Sequence, residues 1–194
     1  MFRQPMLQKL MIRKLALLAT LSAAPVLAVA QAPAAAPAPS TTPVSDAIRL
    51  GLARFSKNMS AAADAMPADK YSFKPTADQA TFAHLQLHIA DSNFLFCSKI
   101  SGVAAPDAAK LAETDSKDKL VANVKASFDF CSSTLAKVDD SKLTESVPLF
   151  PNRSFSRAAV ILILYGSWND HYSAQSMYLR LNGILPPSAQ PAGH

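Results

Sequence analysis

Apolar residues recur at every third or fourth position along four stretches of this chain, the spacing of helices that each turn one face to a core. In the first stretch Ile48, Leu52, Phe55, Met59, Ala62 and Met66 share a face. Ser45 suits the N-cap there, Asp46 complements the positive end of the helix dipole, and Pro67 ends the run. Thr76-Ala-Asp-Gln79 has the form of a capping box and opens a second helix. Its inner face carries Phe82, Leu85, Ile89, Phe96 and Ile100, and Gly102 closes it. A third run starts at Leu120 or Val121 and continues through Val124, Phe128, Cys131, Leu135 and Val138. The fourth begins near Ser154 or Ser156 and reaches about Asn182, where Gly183 suits a left-handed cap and Pro186-Pro187 forbids continuation.

No stretch sustains period-two alternation with β-branched residues, so no sheet is predicted. Four long amphipathic helices in one domain predict an all-α fold, a four-helix bundle. The intervening loops, near Pro67–Pro75, Val103–Asp115 and Asp139–Arg153, are long enough for either up-down-down-up or simple up-down connection. Periodicity does not choose between them.

The ends of the chain add a destination. Arg3, Lys9, Arg13 and Lys14 precede an apolar run from Leu15 to Val29, and Ala28-Val29-Ala30 supplies a small-x-small cleavage pattern. Residues 1–30 therefore read as a secretory signal peptide, cut near Ala30, with Met1, Met6 and Met11 as alternative starts. The run is about fifteen residues long and contains Pro25, short of the roughly 20 residues that span a bilayer, so no stable membrane anchor is expected. Residues 31–44 are dominated by Ala, Pro, Ser and Thr and read as a disordered linker; 45–188 form the bundle and 189–194 a disordered tail. The expected location is periplasmic or secreted.

Export changes the meaning of the charge. The whole chain carries +5, but four of its 19 basic residues and none of its 14 acidic ones fall in the leader. The remainder holds 15 basic and 14 acidic residues, a net charge of +1, which gives no basic stripe for nucleic acid.

Export also bears on Cys97 and Cys131, late in the second helix and midway along the third. Two cysteines in an exported chain are more often bonded than free, and Cys131 lies on the core face. A bridge would close a loop of about 35 residues, worth roughly 3–4 kcal/mol in the chain-entropy account. Two buried thiols are the alternative. A catalytic thiolate fits poorly, because Phe94, Phe96, Phe128 and Phe130 crowd both positions and supply no positive charge.

His84 and His88 stand one helical turn apart, and His171 lies in the last helix within Trp168-Asn-Asp-His-Tyr. An i, i+4 histidine pair can bring two imidazoles to one ion, yet such pairs are more often solvated or hydrogen-bonded. Tyr165, Trp168, Tyr172 and Tyr178 either line a pocket near His171 or pack in the core. Arg180 either binds an anion, pairs with an acid or faces water. His194 is the terminal residue.

The segment Thr81-Phe-Ala-His-Leu-Gln-Leu-His-Ile-Ala-Asp-Ser-Asn-Phe-Leu-Phe-Cys-Ser resembles the second helix of DinB-like proteins, where a His-Ile-Ala turn precedes polar and aromatic residues. The stretch His171-Tyr-Ser-Ala-Gln-Ser-Met-Tyr-Leu-Arg-Leu-Asn-Gly-Ile-Leu-Pro-Pro is similar to that family's closing helix. Lys74-Pro75 and Ser127-Phe-Asp-Phe-Cys131 also fit, and the resemblance covers residues 45–188.

The resemblance implies up-down-down-up topology and a divalent-metal site of three histidines. One ligand comes from the second helix and two from a His-x-x-x-His pair on the fourth. Carried onto this chain, the ligands are His88, His171 and position 167, which here is Ser167. A neutral serine hydroxyl is a poor ligand beside imidazole. Three outcomes are open: the site is lost, His84 replaces the missing ligand, or Asp170 or Asp91 completes a mixed nitrogen–oxygen site. Asp170 sits about 100° round the helix from His171.

Characterised relatives include metal-dependent enzymes that act with low-molecular-weight thiols, the metal holding the thiolate as nucleophile. One expectation is thus an exported metal-dependent transferase or hydrolase using zinc, nickel, manganese or iron, with His88 and His171 as ligands. His84, Asp170 or Ser167 would then be accessory, or Asp170 a base toward metal-bound water. The other expectation is a non-enzymatic bundle, metal lost, that binds an unidentified small molecule or partner in the same groove. The resemblance also makes a homodimer an option. Export argues against the thiol cofactors of cytoplasmic relatives.

Overall fold

The computed structural model describes residues 39–107 and 110–191. The stretch read as a signal peptide, most of that read as a linker, and the last three residues, His194 among them, lie outside the described residues. Four helices form the body: α1 (Pro43–Ala65), α2 (Phe82–Ser101), α3 (Lys117–Leu135) and α4 (Arg157–Leu181). Every apolar position predicted for the inner faces of α1 and α2 is buried, as are Leu120, Val124, Phe128, Cys131 and Leu135 of α3. Burying each large apolar side chain contributes roughly 1.5–3 kcal/mol, so these stripes are what hold the helices together. Among the described residues, no helix is long and apolar enough to cross a membrane.

Cross-helix partners fix the topology. Asn93 Nδ2 donates to Ser127 Oγ at 3.0 Å, and four residues on in both helices Cys97 meets Cys131, so α2 and α3 run parallel. Trp168 Nε1 donates to Asn93 Oδ1 and Gln175 Nε2 to Gln86 Oε1, numbers that rise on α4 as they fall on α2; these two are antiparallel. Tyr165 and Trp168 both pack on Phe55 and Gln175 Nε2 reaches Met59 O, so α1 and α4 run parallel. The connection is therefore up-down-down-up. Parallel α2 and α3 need a crossover that returns along the bundle, and the loop before α3 brings Glu113 back to Thr81 and His84 at the start of α2.

Cys97 and Cys131 are joined, with Cα atoms 5.2 Å apart and a sequence separation of 34 residues. No free cysteine remains among the described residues.

The helix ends differ from the sequence expectation in two places. Thr42, not Ser45, precedes α1, and Pro43 takes the first turn. Ser45 lies inside that turn, where its hydroxyl and backbone N–H both donate to Asp140 Oδ1; Val44 N–H donates to Asp140 Oδ2 at 2.9 Å. A carboxylate remote in sequence thus caps the orphan donors of α1. Burial works to raise the pKa of Asp140, but these hydrogen bonds outweigh it and hold the carboxyl below its ordinary value. The Thr76 capping box does not form either. Residues 68–81 fold as a short 3₁₀ turn and loop, and Thr81 Oγ1 caps α2 by accepting from His84 N–H at 2.9 Å. Gly102 (φ +77°) and Gly183 (φ +73°) adopt the left-handed caps expected of them.

The expectation of no sheet is overturned. β1 (Ser146–Phe150) and β2 (Arg153–Ser156) form an antiparallel hairpin with Val147 opposite Phe155 and an irregularity between Pro148 and Phe150. The strands are too short, and too interrupted by Pro148, to show sustained alternation in sequence. Burial of Val147 and Leu149 against the bundle supplies what propensity does not. Arg157 fastens the hairpin's base: its N–H donates to Glu145 O at 2.8 Å and Nη2 to Glu145 Oε2 at 2.9 Å.

Candidate functional site

His88 lies on the exposed side of α2 and His171 faces it, partly buried, from antiparallel α4. Their rings stand edge to face, 4.8 Å between centroids and 83° between planes. The antiparallel pairing that joins Asn93 to Trp168 and Gln86 to Gln175 sets this register, placing positions 88 and 171 at one level. One turn before His171, Ser167 Oγ lies 3.3 Å from His171 Nδ1. His171 is held neutral: burial, then the nearby His88, push its pKa down to about 4, against the opposing pull of Asp170.

These groups border a cavity of about 460 Å³ between α2, α4 and the hairpin. His88, Ser92, Ser167, Asp170 and His171 supply its polar side. Leu95, Phe96, Ile163 and, from the hairpin, Phe150 supply an apolar side. The size falls within the range of small-molecule sites.

The other candidates go elsewhere. His84 Nδ1 pairs with Glu113 Oε1 at 2.8 Å, and its ring stacks parallel to that of His88 with centroids 6.5 Å apart. It is engaged with the crossover loop and does not border the cavity. Asp91 does not border it either. Trp168, Tyr172 and Tyr178 are packing residues that hydrogen-bond to Asn93, Ser188 and Ala80, and Tyr165 packs edge-on against Phe55. Arg180 is exposed on the far part of α4.

Two imidazoles and a serine are a poor fit to the metal centre the resemblance implies. Among the described residues, no three His, Cys, Asp or Glu side chains converge as a metal site would need. Position 167 offers a hydroxyl already turned to His171 Nδ1. A site with three protein ligands is therefore not assembled by this donor set.

The model of the DinB superfamily matches residues 51–173, well over half of the chain. The chain belongs to the DinB superfamily. Solved structures agree on the fold. A DinB-like protein from Bacillus subtilis is 22% identical with a TM-score of 0.60, the match covering 74% of this chain and 99% of that one. A DinB-like protein from Bacillus cereus is 14% identical (TM-score 0.59, 73% and 95% covered). A conserved protein from Enterococcus faecalis is 13% identical (TM-score 0.53, 71% and 96% covered). No curated protein matches the chain. At these identities the structural likeness speaks for the fold alone.

Sequence reasoning found His88, His171, Ser167 and Asp170 but missed Ser92, Leu95, Phe150 and Ile163. The α2 and α4 residues among them carried a usable signal: Ser92 and Leu95 lie one and two turns beyond His88, and Ile163 one turn before Ser167. Phe150 carried none, because only the hairpin brings it to the cavity.

Proposed function

We propose that this protein is an exported DinB-superfamily bundle that holds a small molecule in the pocket between His88 and His171, the three-histidine metal centre having lapsed. One observation carries the reading: the side chain at the third ligand position is Ser167, and it is hydrogen-bonded to His171 instead of pointing an imidazole into the site. The pocket keeps its walls and two of its histidines, so it retains the means to bind and orient a ligand. Export is supported by the basic-then-apolar leader and by the Cys97–Cys131 pairing, which an oxidising compartment favours.

The competing reading is a metal-dependent transferase or hydrolase, and it needs a third donor. His84 is engaged with Glu113, which leaves Asp170 as the remaining candidate. Elemental analysis after loading with zinc, nickel, manganese or iron separates the two, run on the native protein, His88→Ala, His171→Ala and Ser167→His. The proposal expects no stoichiometric metal in the native protein and one equivalent of zinc in Ser167→His. One equivalent in the native protein, lost in both alanine variants, would overturn it. Cell fractionation of the full-length chain tests export: retention in the cytoplasm at full length would sink that part.

A further inference from the structure

The polar side of the pocket has a sign. Its lining contains one carboxylate, Asp170, and no lysine or arginine. His88 and His171 are the remaining ionisable residues on that side. Asp170 is exposed on α4 in the residue before His171 and borders the cavity with it, so the carboxylate belongs to the same end of the cavity as the two histidines. The opposite end is apolar, lined by buried Phe96, partly buried Ile163, and Leu95 and Phe150, which are 39% and 42% exposed. A half-exposed ring and leucine beside a cavity are apolar surface that an occupant would take out of water.

We propose that the occupant is a small amphiphilic amine, its hydrocarbon or aromatic body against Phe96, Phe150 and Ile163 and its ammonium group toward Asp170. The inference rests on the pocket reading above and adds the ligand's charge. An anionic head would meet Asp170 with no basic side chain to offset it. A neutral head would gain hydrogen bonds from the imidazoles and Ser167 but no ion pair. A cation gains both, and its ammonium hydrogens suit the acceptors of Asp170 and of Ser92.

A matched series tests this: 3-phenylpropylamine, 3-phenylpropanol and 3-phenylpropanoate, titrated into the full protein with EDTA present and followed by calorimetry and amide NMR shifts. The amine is expected to bind about fivefold more tightly than the alcohol, the scale of a partly exposed ion pair, with the carboxylate weakest. Asp170→Asn, whose fold is checked by circular dichroism, removes the difference between amine and alcohol. Phe150→Ala weakens both about tenfold, the scale set by the buried ring area, and leaves their ratio unchanged. Equal binding of amine and alcohol, or preference for the carboxylate, would overturn the amine assignment while leaving the pocket reading in place. A broader set of aromatic and aliphatic fragments that leaves the amide shifts of His88, Ser167 and His171 unmoved would overturn both.

Discussion

Ser167 and His171 stand one turn apart on α4, with Ser167 Oγ 3.3 Å from His171 Nδ1, at the place where the family pattern would set two histidines side by side. Burial, with His88 beside it, holds His171 neutral, a polar group that belongs to a binding pocket as readily as to a metal site.

That burial predicts a pH dependence. The folded pKa of His171 is about 4, below the ordinary histidine value of 6.5, so between these values the unfolded chain takes up a proton that the folded one refuses. Stability is therefore full above pH 6.5, falls as pH drops toward 4, and is insensitive to this group below that. Partial solvent exposure of the ring reduces the effect to about 1–2 kcal/mol. Urea melts from pH 8 to 4 measure it, and His171→Gln should flatten the decline over that window.

Asn93 ties three helices together. Its Oδ1 accepts from the Trp168 indole at 2.7 Å, and its Nδ2 donates to Ser127 Oγ at 3.0 Å, all in the buried core. Asn93→Ala leaves the indole N–H without a partner and opens a small void, at a cost of about 2–4 kcal/mol. Trp168→Phe removes the orphaned donor, so a double-mutant cycle by denaturant unfolding should show strong coupling between the two positions. Additive losses would contradict the network.

Gly51 lets α1 approach α4 closely. A Cβ there would sit 2.9 Å from Tyr165 Cδ2 and closer still to Cε2, and that ring is itself packed edge-on against Phe55 at 5.6 Å. Gly51→Ala is expected to destabilise by about 1–3 kcal/mol, although alanine is the better helix former. Adding Tyr165→Leu should restore much of the loss in thermal melts.

Asp140 caps α1 from the far end of the sequence. Asp140→Ala removes the acceptor shared by Val44 N–H, Ser45 N–H and Ser45 Oγ. The thermal midpoint should fall by several degrees, and hydrogen exchange should quicken selectively in the first turn of α1. Uniform quickening across the bundle would argue against a local cap.

Much of the architecture was legible in sequence because the helices obey local rules. The stripe from Ile48 to Met66, the run from Phe82 to Ile100 and the cap at Gly102 each declare themselves within a few turns, where spacing alone decides which side chains share a face. His88, His171 and Ser167 were named by family spacing. Tertiary structure decided the rest, for a physical reason in each case. Parallel α2 and α3 became certain only when Asn93 met Ser127 and Cys97 met Cys131, since periodicity says which face is buried and not against which neighbour. The cap of α1 came from Asp140, and the wall of the pocket came from Phe150 on a hairpin too short to advertise itself. His84 looked equivalent to His88 one turn earlier, until Glu113 on the returning crossover loop claimed it. Local pattern fixed what each segment is; contacts between residues far apart in the chain fixed which of its polar groups remain available for a ligand.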